Sequence, residues 1–100
     1  MKTITVHELK ALMDQQADYQ LIDVREPSEY EEANLGGHLI PLGEIPTRYA
    51  EISKDKQVIM QCRSGARSAN AAMFLEQNCG YTNLFNLEGG ILAWLNAFGD

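Results

Sequence analysis

Apolar residues along the chain fall into short blocks that change between strand-like and helix-like spacing. Blocks of β-forming residues predict strands over residues 19–24, 57–61 and 83–87. Residues 36–40 predict a loop that leads into a short edge strand, which Pro41 ends. Between these blocks, the apolar residues have the spacing that is typical of helices.

Helical segments separate the predicted strands. Thr5 and Glu8 match the capping box that begins a helix. A closing helix has one apolar stripe, formed by Ile91, Trp94, Leu95 and Phe98. The helices are predicted over residues 6–13, 45–52, 69–78 and 91–98, with a shorter turn or helix at residues 27–30. Because strands and helices alternate, we expect an α/β fold of three layers, α/β/α, around a mainly parallel sheet of about five short strands.

Size and composition narrow the class of protein. The 100 residues predict a single domain over residues 1–100, and an apolar fraction of 45% is ordinary for a globular protein. The net charge of -6 disfavours nucleic acids and anionic membrane surfaces as partners. The N-terminus lacks the apolar region of a signal peptide, so a cytoplasmic location is expected, with a removed leader left open. No spacing of His, Cys and Asp predicts a metal, and no cofactor is expected.

Residues 62–68, Cys-Arg-Ser-Gly-Ala-Arg-Ser, follow the predicted strand 57–61, whose apolar run is residues 58–60, and precede a helix. A strand, a tight loop and a helix N-terminus build a cradle of amides that binds anions. We expect those amides, with Arg63 and Arg67, to lower the pKa of the Cys62 thiol and make it a nucleophile. A small buried structural cysteine is the alternative, which two arginines and two serines nearby disfavour. The residues expected to bind substrate are Arg63, Ser64, Gly65, Ala66 and Arg67.

Asp23 and Arg25 lie at the end of a neighbouring predicted strand and are expected to support the loop. Asp23 is expected to be structural, because an ionised thiolate needs no general base. Arg25 is either a second anion contact or a solvent-facing charge. Arg67 either faces the anion or forms an ion pair with Asp23 or Glu26.

Four blocks in this order resemble the rhodanese family of sulfurtransferases, in its single-domain form. The blocks are LIDVRE at residues 21–26 with Tyr30, GHL to IP at residues 37–46, CRSGARS at residues 62–68 and NLEGGILAW at residues 86–94. The resemblance implies a thiosulfate sulfurtransferase: the Cys62 thiolate takes the sulfane sulfur of thiosulfate or a persulfide donor, and cyanide or a thiol then removes it. The implied partners are a small-molecule sulfur donor and a thiol acceptor, which a protein could also provide.

Other functions fit parts of the pattern. A cysteine-dependent phosphatase or arsenate reductase would use a similar cradle, but its arginine stands six positions after the cysteine, where this chain has Ser68. A persulfide carrier with a protein partner, or a protein-binding module with the same fold, are the further alternatives. Turnover of thiosulfate and cyanide would separate these functions.

Overall fold

Five parallel strands form the centre of the computed structural model, which describes residues 1–99. They are β1 (Lys2–Ile4), β2 (Tyr19–Asp23), β3 (His38–Leu39), β4 (Gln57–Gln61) and β5 (Leu84–Leu87). Parallel pairing joins them in the order β1-β5-β4-β2-β3. The predicted parallel sheet is confirmed.

Helices cover both faces of this sheet. They are α1 (Val6–Asp14), α2 (Pro27–Glu32), α3 (Ile45–Arg48), α4 (Ala66–Asn78) and α5 (Gly90–Phe98). The capping box of α1 is present, because Thr5 Oγ1 accepts from the Glu8 amide at 3.1 Å and Glu8 Oε1 accepts from the Thr5 amide at 2.9 Å. The three-layer α/β/α fold is confirmed.

Three differences from the sequence prediction are larger than two residues at the end of an element. Lys2–Ile4 forms an edge strand that the sequence analysis did not assign, since three residues are too few to show an alternation. The helix predicted over residues 45–52 is shorter, and 3-10 turns flank α3 at Leu42–Glu44 and Tyr49–Glu51. Helix α4 begins at Ala66 rather than residue 69, because Gly65 adopts a φ of 108° and caps it.

Two apolar clusters pack on opposite faces of the sheet. One lies under α3 and α4 and contains Ile22, Met60 and Leu75, each fully buried. The other lies under α1 and α5, with Leu9 and Ile59 at its centre and Trp94 packed against it. Burying such a side chain stabilises the fold by about 1.5–3 kcal/mol. The sheet is therefore held rigidly from both sides, which fixes the strand ends.

None of the helices in residues 1–99 has both the length and the apolar composition needed to cross a membrane.

Candidate active site

The candidate site lies at the carboxyl ends of β2 and β4. Asp23 and Gln61 are paired across these adjacent strands, and Cys62 follows Gln61 directly. The Val24 amide extends the pairing by donating to the Gln61 carbonyl at 3.0 Å. Residues 23–25 and the cysteine loop are thus adjacent. They lie beyond the carboxyl ends of two inner strands, which is where ligands usually bind to parallel sheets.

Cys62 is almost completely enclosed, with 1% of its surface exposed. The Gly65 amide donates to its sulfur at 3.1 Å, and the Ser68 hydroxyl oxygen lies 3.3 Å from the same atom. Gly65 can direct its amide inward because it adopts a left-handed conformation, with φ 108°. The loop therefore wraps the sulfur with hydrogen-bond donors, as the sequence predicted.

The pKa of the Cys62 thiol lies below its ordinary value as the balance of opposing effects. Burial raises this pKa, because the thiolate loses water. Hydrogen bonds from the Ser68 hydroxyl and from the amides of Ser68, Gly65 and Ser64 outweigh the burial and lower it. The predicted lowering by the loop amides is confirmed, and neither Arg63 nor Arg67 is among these main causes.

Arg67 forms an ion pair with Glu29, which is not one of its predicted partners. Its guanidinium donates to both carboxylate oxygens of Glu29 on α2, at 2.8 and 2.9 Å. The predicted partners Asp23 and Glu26 are wrong, since the two-pronged carboxylate of Glu29 matches the guanidinium fork. These hydrogen bonds hold the pKa of Glu29 at about 2, so the stability the pair supplies is complete above pH 4.5 and lost as pH falls toward 2.

Asp23 and Arg25 form a buried ion pair that supports the loop from β2. Arg25 Nη2 donates to Asp23 Oδ2 at 2.8 Å, and the two side chains are 5% and 0% exposed. Arg25 also donates to the Ala33 carbonyl at 2.8 Å, which ties the segment after α2 to the sheet. The buried pairing of Asp23 with Arg25 supports the predicted structural role of Asp23, whereas the alternative of a solvent-facing Arg25 is wrong because these acceptors enclose its guanidinium.

Asp23→Ala is expected to cost about 3–5 kcal/mol in the free energy of unfolding, because it leaves the Arg25 charge buried without its partner. Urea denaturation followed by circular dichroism measures this loss. Asp14→Ala is the matched control, since it breaks the exposed Lys10–Asp14 pair and should cost only about 0.5 kcal/mol. Equal small losses in both variants would contradict the structural role of Asp23.

Ser68 and Asn86 belong to the site, although neither was predicted as a site residue. Ser68 is fully buried in the first turn of α4, and Asn86 of β5 is 8% exposed. The Ser68 oxygen lies 2.6 Å from Asn86 Oδ1, and Asn86 Nδ2 donates to the Gly65 carbonyl at 3.0 Å. The available signal was a polar residue in an apolar strand, which needs a buried partner.

The start of α5 packs directly against the cysteine loop. The Ile91 amide donates to the Cys62 carbonyl at 2.9 Å, and the Leu92 amide donates to the Arg63 carbonyl at 3.1 Å. These contacts bind two loop carbonyls to the first turn of α5. Gly90 lines this contact, and its φ of 58° permits the turn.

Arg63 is exposed, without an ion-pair partner among residues 1–99. Its side chain lines a cavity of about 180 Å³ between α2 and α5, together with Arg25 and Leu92. Of the other predicted substrate contacts, Ser64 and Ala66 are also exposed, and Gly65 is buried against β5. Within the part of the chain described, no group of three or more His, Cys, Asp or Glu residues could hold a metal ion.

The chain matches the family described as Rhodanese-like domain over residues 5–97. A sulfurtransferase of Allochromatium vinosum is 45% identical over 78 residues, which are 77% of this chain and 72% of that protein. The uncharacterized protein YqhL of Bacillus subtilis is 43% identical over 95 residues, 94% of this chain and 72% of that protein. The crystal structure of a rhodanese-related protein from Thermoplasma volcanium has a TM-score of 0.86 at 30% identity, covering 100% of this chain and 96% of that one.

Proposed function

This chain belongs to the rhodanese family of sulfurtransferases, and from that membership we propose that it transfers sulfane sulfur through a persulfide on Cys62. The donor is thiosulfate or a persulfide, and the acceptor is cyanide or a thiol. The observation that carries the proposal is the enclosure of the Cys62 sulfur by the Gly65 amide and the Ser68 hydroxyl. Those donors stabilise an anionic sulfur at this position.

The proposed reaction has two displacement steps on sulfur. The Cys62 thiolate attacks the outer sulfur of thiosulfate, the S–S bond of thiosulfate breaks, and sulfite leaves with the electron pair. The persulfide anion remains on Cys62, within reach of the loop amides. Cyanide then attacks the outer sulfur, thiocyanate leaves, and the thiolate is restored without any external oxidant or reductant.

The positions of the other loop residues support a small anionic donor. Arg63 is exposed beside the loop and is free to meet the sulfonate of thiosulfate. The amides of Ser64 and Gly65 already point to the sulfur, and Ala66 opens α4, where backbone amides lack helical partners. The ion pair of Arg67 with Glu29 ties the start of α4 to α2 and so stabilises the loop. Asp23 and Arg25 support the loop through their buried ion pair.

The arrangement of side chains disfavours a phosphatase. In the position where that chemistry needs an arginine, the Ser68 hydroxyl contacts the sulfur itself. The only arginine on α4 is Arg67, and both of its terminal guanidinium nitrogens donate hydrogen bonds to Glu29. A tetrahedral oxyanion would thus lack the bidentate clamp that it requires.

Thiosulfate without an acceptor is expected to add the mass of one sulfur atom to the intact chain, and cyanide should remove it. Intact-mass spectrometry under non-reducing conditions measures both steps. Cys79→Ser is the matched control, because Cys79 ends the 13-residue α4 while Cys62 precedes its start, about 20 Å away at 1.5 Å per residue. This variant should be labelled like the wild type.

Each outcome of this experiment separates the candidate functions. A persulfide that cyanide does not remove but a protein thiol does would indicate a sulfur carrier rather than an enzyme of the thiosulfate–cyanide type. An unmodified chain after treatment with thiosulfate and with a small persulfide would contradict the proposal. Labelling that depends on Cys79 would contradict the assignment of Cys62.

A further inference from the structure

Asn86 on β5 contacts the cysteine loop, and its hydrogen bonds determine which end of its side-chain amide is the nitrogen. Its Nδ2 lies 3.0 Å from the Gly65 carbonyl oxygen, which can only accept a hydrogen bond. That oxygen therefore fixes the nitrogen end of the amide, and Asn86 Oδ1 must face Ser68. The contact of 2.6 Å between Asn86 Oδ1 and Ser68 Oγ is thus a donation from the serine hydroxyl.

The single hydroxyl proton of Ser68 has three acceptors within reach. Its oxygen lies 2.6 Å from Asn86 Oδ1, 3.2 Å from the Gly65 carbonyl and 3.3 Å from Cys62 Sγ. The Gly65 carbonyl is already supplied by the Ala69 amide, at 3.1 Å, and by Asn86 Nδ2. While Cys62 is a neutral thiol, the Ser68 hydroxyl donates its proton to Asn86 Oδ1, its shortest contact. When Cys62 is a thiolate, its charged sulfur is a stronger acceptor and competes with Asn86 for the same proton.

We propose that Asn86 is a positioning residue that holds the Ser68 hydroxyl proton away from the Cys62 sulfur and yields it only to a fully charged sulfur. The inference rests on the proposed role of Cys62 as the nucleophile. A hydroxyl turned permanently to the sulfur would stabilise the thiolate more, and a more stable thiolate attacks more slowly. Asn86 thereby keeps Cys62 ionisable and still nucleophilic.

The charged groups around the loop act separately from this contact. They are Arg63 in the loop, Arg67 on α4 with its partner Glu29 on α2, and the pair Asp23 and Arg25 at the end of β2. Asn86 makes its side-chain hydrogen bonds to Ser68 and Gly65 alone among the described residues. Replacing Asn86 or Ser68 therefore leaves every one of these charges in place, and the comparison of the two variants separates the effect of the hydroxyl from that of the Asn86 contact to Gly65.

The test is the pH dependence of Cys62 alkylation by iodoacetamide in the full chain carrying Cys79→Ser. Asn86→Leu is expected to lower the pKa of Cys62 by about one pH unit, because the freed hydroxyl turns to the sulfur. Ser68→Ala should raise the pKa. The double variant should lie close to Ser68→Ala, because the part of the Asn86 effect that passes through the hydroxyl is then gone, and any small residual shift measures the lost contact between Asn86 Nδ2 and the Gly65 carbonyl. Asn83→Ala is the control, an asparagine before β5 that donates to Ser53 and Lys56 instead.

A merely structural Asn86 would give the opposite sign. If Asn86→Leu raises the pKa of Cys62 or leaves it unchanged, or if its whole effect adds to that of Ser68→Ala, the proposal is overturned. Asn86→Ala repeats the measurement if the leucine variant does not fold. Alkylation needs no sulfur donor, so a failed sulfur transfer would refute the proposed function and leave this result interpretable.

Discussion

Cys62→Ser is expected to reduce sulfur transfer from thiosulfate by more than about a thousandfold while leaving the fold intact. A serine hydroxyl stays protonated in the same cradle, so no nucleophile forms to attack the donor. The hydroxyl is nearly the size of the thiol, and the Gly65 amide keeps an acceptor, so the loss in the free energy of unfolding should stay below about 2 kcal/mol. Thiocyanate production and a parallel urea titration measure the two effects.

Retained turnover in a folded Cys62→Ser variant would remove Cys62 from the mechanism. Cys79→Ser is again the comparison, since it changes the same atom at a half-buried position at the far end of α4. We expect it to retain turnover close to that of the wild type. Only the difference between the two cysteine variants assigns the chemistry to the loop.

Gly90→Ala is expected to cost about 2–6 kcal/mol in the free energy of unfolding and to lower sulfur transfer at least about tenfold in the folded fraction. An added methyl carbon would lie 2.5 Å from the Cys62 carbonyl oxygen and closer still to that of Arg63. Both oxygens accept from the start of α5, so the loop itself must shift. The φ of 58° adds strain for any side chain.

Gly36→Ala separates steric contact from backbone strain. Gly36 has a φ of 79°, but a methyl carbon there would meet no atom within 4 Å. This variant should lose only the cost of strain, about 1–3 kcal/mol, and should keep its sulfur transfer. If both variants lose stability and activity equally, the close packing of Gly90 against the loop is not what shapes the site.

The sequence predicts the fold well because the main strands and helices have clear spacing. Residues 58–60 are an apolar run two positions before a cysteine, and the structure has β4 over residues 57–61. The capping box at Thr5 and Glu8 likewise marks the start of α1. Strand β1 has only three residues, and its pairing with β5 depends on tertiary contacts that no local pattern records.

The site is only partly predictable, for the same reason. The hydrogen-bond donors around Cys62 lie within residues 62–68, so a local turn is enough to bring them to the sulfur. The lowered pKa of Cys62 could therefore be predicted from the sequence. The partner of Arg67 lies 38 residues away in sequence, and that of Ser68 lies 18 residues away. Several acids could have reached Arg67, and only the packing of α2 beside α4 selects Glu29. The buried environment of Arg25 also depends on the course of the chain after α2.

The amides of α5 that hold the loop carbonyls have a consequence for how the protein matures. The Ile91 and Leu92 amides bind the carbonyls of Cys62 and Arg63, and Asn86 binds the Gly65 carbonyl, so the geometry of the loop depends on residues that are synthesised after it. A chain on the ribosome that has not reached these residues holds an ordinary thiol. The lowered pKa of Cys62 is therefore a property of the folded chain alone, because an unfinished or unfolded copy lacks the donors that stabilise the thiolate.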